Sequence, residues 1–281
     1  MLYPGLYEQV INNALNRELA EIPEARKSTA PIDTAEAAKV LAQYLTDVVQ
    51  KGLENVQDNG GGIEAQIQLA NQIVTTIQNT TQEADFAALG VDQRAEQLLA
   101  LLQQNDPRLA TGKSAKDLDR PETSIAQSSL FTGAIHEPQM YTELKKEIVS
   151  ADRIDMLVSF IKWSGLRLIM DELQQFAQSG GELRIITTSY MGATDVKAIE
   201  ELRTLPNTKI KVSYDTKRTR LHAKTYVFYR DTGFTTAYVG SSNLSNAAIS
   251  SGLEWNVKVT RKDLPLSLIH ISEPTRRRGI S

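Results

Sequence analysis

Residues 220–256 read RLHAKTYVFYRDTGFTTAYVGSSNLSNAAISSGLEWN, in a chain with three histidines. His222 and Lys224 stand two apart. In a strand, alternate residues share a face, so His222, Lys224, Tyr226 and Phe228 would line one side. That places an imidazole and an ammonium about 6–7 Å apart, both able to address one phosphate. Ser241, Ser242 and Asn243 follow the next strand in a Gly-Ser-Ser-Asn turn, which offers side-chain donors and backbone N–H groups to phosphate oxygens. Eleven residues after Asn243 comes Glu254, an acid able to orient an imidazole and stabilise its charged form. Taken singly, these are an ordinary strand histidine, a helix N-cap and a surface acid beside a core indole. Taken in this order and spacing, they outline a phosphate site. Arg220 belongs to a run of seven cations between Lys209 and Arg230, which reads either as a solvated face or as a phosphate-binding strip.

The pattern His-x-Lys, strand, turn, Gly-Ser-x-Asn resembles the signature of the phospholipase D superfamily. The longer run, with SFIKWSGLRLI, RLHAKTYVFYRDTGF, TAYVGSSNLS and GLEWNV, resembles the nuclease module that precedes a DEAD/DEAH-type helicase in large restriction-like proteins. The likeness covers roughly residues 125–265. It implies phosphodiester transfer on DNA through a covalent phosphohistidine, with no metal and no cofactor. His222 would be the nucleophile, and Lys224 and Asn243 would neutralise charge on the non-bridging oxygens. Ser241, Ser242 and Arg220 would complete the phosphate-binding set. The superfamily's usual acid would fall at Tyr229, which is no carboxylate, so Glu254 is assigned to His222 instead. The chemistry needs two histidines and the chain has one motif; no x-Lys follows His136. The resemblance therefore implies a homodimer completing the active site, and a helicase domain downstream in the full-length protein. No Walker motif is present. The rival readings are a phospholipid hydrolase or transferase and a non-catalytic nucleic-acid-binding or dimerisation domain.

The elements that must position these residues follow from periodicity. Residues 1–105 read as a helical accessory domain: apolar residues recur at helical spacing in PGLYEQVINNALNRELAEI, in TAEAAKVLAQYLTDVVQKGLENV behind an Asp33-Thr34 start signal, in IEAQIQLANQIVTTIQ and in VDQRAEQLLALLQQN. Residues 106–130 read as a linker. From 131 to 265 helices alternate with strands, including IDMLVSFI, ELRIITTS, KIKVSYD, LHAKTYVFYR, TTAYVGSS and EWNVKVT. This predicts an α/β fold, a phospholipase D-like mixed and largely parallel sheet covered by helices, with a hairpin turning at Asp-Thr-Gly-Phe.

Leu266–Arg276, within the tail 266–281, matches the in-frame translation of a sequencing-library adaptor, and the tail is read as non-native. The net charge is −3, but residues 1–120 hold ten cations against seventeen acids, and residues 121–265 hold eighteen against sixteen. There is no cysteine, which excludes disulfides and thiolate metal sites and suits a reducing cytoplasm. No window approaches the roughly 18 apolar residues of a membrane span, and the N-terminus lacks a signal-peptide pattern. A soluble cytoplasmic protein with no membrane partner is the expectation.

Overall fold

The computed structural model describes residues 2–104, 106–134, 137–215, 221–248 and 254–263. The chain divides into two compact units, Met1–Leu99 and Ala100–Ser281.

The first unit holds α1 (Asn13–Ala20), α2 (Ala37–Asp58) and α3 (Ile63–Thr81). Asn12 caps α1 by accepting from Leu15 N at 2.9 Å. Asp33 accepts from Ala35 N at 2.7 Å, so the start signal makes a turn and α2 begins at Ala37. The Asn59–Gly62 punctuation reverses the chain: Gly60 has φ +82°, and a Cβ on Gly61 would lie 2.7 Å from the Val56 carbonyl oxygen. The helix expected over 91–105 does not form. Val91 is latched by the Asn71 amide, which accepts from its N–H at 2.7 Å and donates to its carbonyl at 3.0 Å. Leu98, Leu99 and Leu101 remain exposed, so the periodic residues there have no surface to bury against.

The second unit is built on one seven-stranded sheet. Its elements are α4 (Pro107–Ala110), β1 (Ser129–Phe131), α5 (Met140–Val149), β2 (Arg153–Val158), α6 (Trp163–Leu166), α7 (Met170–Gln178), β3 (Glu182–Thr188), α8 (Val196–Arg203), β4 (Thr208–Ser213), β5 (Lys224–Tyr229), β6 (Thr236–Gly240) and β7 (Asn256–Thr260). The strand order is β1-β7-β6-β5-β2-β3-β4. The sheet is mixed, as expected, but not largely parallel. Only β2–β3 and β3–β4 run parallel, where α6, α7 and α8 supply crossovers, and the other four pairings are antiparallel. β5 and β6 are joined by the expected hairpin turn, with Gly233 at φ +85° and its N–H on the Arg230 carbonyl at 2.8 Å.

Period-two alternation buries one face. Ile154, Met156 and Val158 of β2, Leu183 and Ile185 of β3, and Tyr226 and Phe228 of β5 pack with Leu144 and Ile148 of α5, Leu173 and Phe176 of α7, and Leu202 of α8. Among the described residues the larger core cluster, with its helices, lies on that face alone. The other face holds a small cluster around Val227 and Ala237, an ion pair between Asp155 and Arg184, and exposed Leu130, Val239 and Val257.

A buried ionic network fixes the end of the sheet where β5 finishes. The fully buried Glu147 carboxylate accepts from Arg230 Nη2 at 2.6 Å, Thr236 Oγ1 at 2.7 Å, Lys258 Nζ at 2.9 Å and the Tyr238 hydroxyl at 3.1 Å. Burial pushes its pKa up, but Arg230 and Lys258 outweigh burial and hold it below the usual carboxylate range. Lys258 also donates to Thr123 Oγ1 at 2.8 Å, and Glu143 accepts from Glu122 N at 2.6 Å. Residues 122–123, in the stretch read as a linker, are thereby clamped to the sheet, and Ser129–Phe131 pairs with β7. Among the described residues no helix is long and apolar enough to cross a membrane.

Candidate phosphodiester site

The ends of four strands meet at one edge of this sheet. β2 finishes at Val158, which pairs with Lys224 at the start of β5. β6 finishes at Gly240, opposite Asn256 at the start of β7. β2 is the strand where the sheet changes from parallel (toward β3) to antiparallel (toward β5). The residues just outside these ends are Ser159 and Phe160 after β2, His222 and Ala223 before β5, Ser241–Asn243 after β6, and Glu254 and Trp255 before β7. Loops beyond the carboxyl ends of parallel strands at such a switch are where open α/β sheets build sites.

His222 does not lie within the strand, as its spacing suggested, but precedes it and is exposed. Lys224 is mostly buried, and its Nζ curls back to lie 3.0 Å from His222 Nδ1, 3.1 Å from Nε2 and 3.0 Å from the His222 carbonyl oxygen. An ammonium can donate only to a ring nitrogen carrying a lone pair, the atom a nucleophilic imidazole uses. Burial pulls the Lys224 ammonium below the ordinary lysine value, and the Glu254 carboxylate pulls it partly back. Glu254 thus acts on the lysine. Among the described residues no hydrogen bond joins it to His222, the partner expected for it.

Asn243 is 7% exposed. Its Oδ1 accepts from Phe160 N at 3.2 Å, which leaves the amide Nδ2 to donate elsewhere. Ser242 is fully buried; its hydroxyl donates to the Ala248 carbonyl at 3.2 Å and accepts from Asn256 Nδ2 at 2.8 Å. It has no free reach to a phosphate, and the phosphate-binding role expected of its side chain is withdrawn. Ser241 continues the β6–β7 pairing: its N–H donates to the Trp255 carbonyl at 3.1 Å, and its hydroxyl accepts from Trp255 N at 3.2 Å. Its hydroxyl holds the turn rather than waiting for a ligand. Gly240 is required by that pairing, because a Cβ there would run into the Trp255 carbonyl and Asn256.

Arg220 and His136 lie outside the described residues. Of the run of cations, Lys217 and Arg218 also lie outside the described residues, and two others are engaged within the fold. Arg230 is buried on Glu147, and Lys209 pairs with Glu182 at 2.9 Å, near the start of β4. Tyr229, where the superfamily's acid would stand, lies under the Arg153 guanidinium, 3.8 Å from ring centroid to Cζ; its neighbour Arg230 anchors this strand end through Glu147.

Several supporting residues had no distinguishing signal in the sequence. The Tyr226 hydroxyl donates to the Ser242 carbonyl at 3.0 Å, and Ser159 Oγ donates to the Ala223 carbonyl at 3.2 Å. Asp195 accepts from Trp163 N at 2.8 Å and pairs with Lys162 at 3.1 Å. Trp163 N and then Lys162 hold its carboxyl below the usual range. A close approach explains Gly165: a Cβ there would lie 2.5 Å from the Ser245 backbone.

Residues 144–270 match the family model described as "Cardiolipin synthase, PLD-like domain". No curated protein sequence matches the chain. Among solved structures it is similar to NucT from Helicobacter pylori, at 23% identity over 53% of this chain and 94% of that one, with a TM-score of 0.41. It is also similar to Nuc, a phospholipase D family member from Salmonella typhimurium, at 22% identity over 54% and 94%, with a TM-score of 0.40. A phosphatidylserine synthase from Haemophilus influenzae is similar at 12% identity over 53% and 37%, with a TM-score of 0.39. The match covers strands β2 to β7 and includes His222, Lys224 and Asn243, so just under half of the chain is similar to that family.

Proposed function

We propose that this chain is a metal-independent phosphodiesterase, the DNA endonuclease module of a helicase-coupled restriction or defence protein. The observation that carries the reading is the Lys224 ammonium at 3.0 Å from a His222 ring nitrogen, at the sheet edge where Phe160 turns the Asn243 amide. An imidazole nucleophile and a cation able to follow the charge on a phosphoryl oxygen are thus assembled before substrate arrives.

The chemistry runs in two displacements. A His222 ring nitrogen attacks phosphorus, and the P–N bond forms as the bond to the leaving oxygen breaks. That oxygen takes a proton from a second imidazole. Water, losing its proton to the same second imidazole, then attacks phosphorus; the P–N bond breaks and His222 is regenerated. Lys224 and the Asn243 amide nitrogen donate to the non-bridging oxygens throughout. The second imidazole is the His222 of a second copy of the chain, across a two-fold axis that makes the two contributions equivalent.

A phosphatidyl hydrolase or transferase is the second reading, favoured by the description of the family model that the chain matches. It would use the same histidine on a lipid phosphodiester. The two separate in parallel assays with EDTA present, plasmid DNA in one and phosphatidylcholine or phosphatidylglycerol vesicles in the other. Nicking that disappears in His222→Ala, without lipid turnover, supports the nuclease. Lipid turnover without nicking selects the second reading, and activity unchanged in His222→Ala overturns both.

A further inference from the structure

We infer that Ser159 is a positioning residue for the His222–Lys224 segment, an inference that rests on the phosphodiesterase reading above. The β2–β5 ladder ends at the Val158–Lys224 pair. His222 and Ala223 therefore lie beyond the last backbone rung, where an exposed nucleophile would otherwise hang from the strand by its own chain. Ser159, one residue past Val158 and 5% exposed, takes over where the ladder stops. Its Oγ donates to the Ala223 carbonyl at 3.2 Å, the peptide between the imidazole and the ammonium.

Ser159 is itself braced. Its carbonyl accepts from Thr187 Oγ1 at 3.3 Å and from Thr188 N at 3.4 Å, both at the end of β3. The next residue reaches the other half of the site, since Phe160 N donates to Asn243 Oδ1 at 3.2 Å. Beyond it, Lys162 N donates to the Leu244 carbonyl at 2.8 Å, and Ile161 N to Thr194 Oγ1 at 3.4 Å. One dipeptide at the end of β2 thus indexes the nucleophile segment and the amide of the phosphate clamp to the same rigid strand. Sites held on strands by locked neighbours keep the sub-ångström geometry that displacement chemistry needs.

A serine placed only for packing would give stability and nothing else. The distinguishing comparison holds shape constant: Ser159→Thr keeps the hydroxyl, and Ser159→Val replaces it with a methyl on the same branched frame. The full chain is assayed with bis(p-nitrophenyl) phosphate and with plasmid DNA, beside Ser159→Ala and His222→Ala, with a thermal melt of each. Ser159→Ala and Ser159→Val are expected to lose about tenfold or more in kcat, with KM unchanged, because a small displacement of a reacting group is costly. Ser159→Thr recovers most of that loss. The inference is overturned if the Val and Thr variants share one kcat, if the loss falls in KM alone, or if kcat follows melting temperature across the series. A wild-type rate in Ser159→Ala with a dead His222→Ala sinks the positioning role and leaves the phosphodiesterase reading standing. An active His222→Ala removes both.

Discussion

The Tyr226 hydroxyl donates to the Ser242 carbonyl at 3.0 Å, so the strand that opens with Lys224 holds the turn that carries Asn243. Both partners are buried, and burial pushes the phenol well above its ordinary pKa, keeping it a donor throughout the working range. Tyr226→Phe strands a buried carbonyl and loosens the turn. The expected outcome is a loss of about 1–3 kcal/mol in urea unfolding, with a fall in kcat larger than any change in KM.

The alkaline limb of the pH–rate profile is predicted to report Lys224. A clamp must carry its proton, and burial has moved the Lys224 pKa down, so activity falls at lower pH than an exposed lysine would give. The nearby Glu254 carboxylate favours the charged ammonium. Glu254→Gln removes that support and moves the limb to still lower pH. Lys224→Arg keeps a charge that does not titrate in range, and abolishes the limb in whatever activity survives. A limb unmoved by Glu254→Gln would contradict the electrostatic role given to that carboxylate.

Glu147 is the keystone of the buried charges. Glu147→Gln leaves Arg230 and Lys258 in the interior without their anion, and a loss of about 3–5 kcal/mol is expected. The pH dependence has a definite sign. Because the folded-state pKa of Glu147 is depressed, its contribution is complete above the unfolded carboxylate value and disappears as pH falls through the folded one. Urea midpoints measured from neutral into acid pH should decline less steeply in Glu147→Gln than in the wild type.

Gly240→Ala tests the close approach of β6 and β7. The added methyl meets the Trp255 carbonyl and Asn256, and backbone must shift. Destabilisation by about 1–3 kcal/mol is expected, the usual range for overpacking. Activity should fall as well, since Ser241 and Trp255 lose their register beside Glu254.

A site shared between two copies gives a signature in mixtures. His222→Ala added to wild type should lower activity per wild-type chain, because mixed dimers lack one of the two imidazoles. Activity that simply tracks wild-type concentration would show that one chain suffices.

What the sequence made legible was chemistry carried by residue type and spacing. Lys224 meets His222 at the strand end that the spacing pointed to, and the Asp-Thr-Gly-Phe hairpin turns where its glycine demands positive φ. Strand sense was another matter. The alternation of helices and strands pointed to parallel pairing, but β5 lies antiparallel to β2, with two strands and their connections between them in sequence, and no local pattern records such a pairing. Ser129–Phe131 is too short to show a period, and its first two residues read as the end of a linker. Nothing in the sequence marks Glu143, Glu147, Lys258 and Arg230 as buried, because their burial depends on one another across α5, the β5–β6 turn and β7. Ser159 and Ser242 show the limit most directly. One serine holds the nucleophile segment and the other, inside the motif itself, is consumed by the core; nothing but their partners distinguishes them.

The central claim, that His222 becomes covalently bound to phosphorus, has one direct measurement. The full chain is mixed with an oligonucleotide labelled at its 5′ end in one sample and at its 3′ end in another, in EDTA, quenched in alkaline detergent, separated on a denaturing gel, and the labelled peptide is sequenced by mass spectrometry. The predicted result is an acid-labile, alkali-stable adduct on the peptide containing His222, absent in His222→Ala. Turnover of the oligonucleotide by wild type with no adduct on that peptide, or an adduct that survives in His222→Ala, would contradict it.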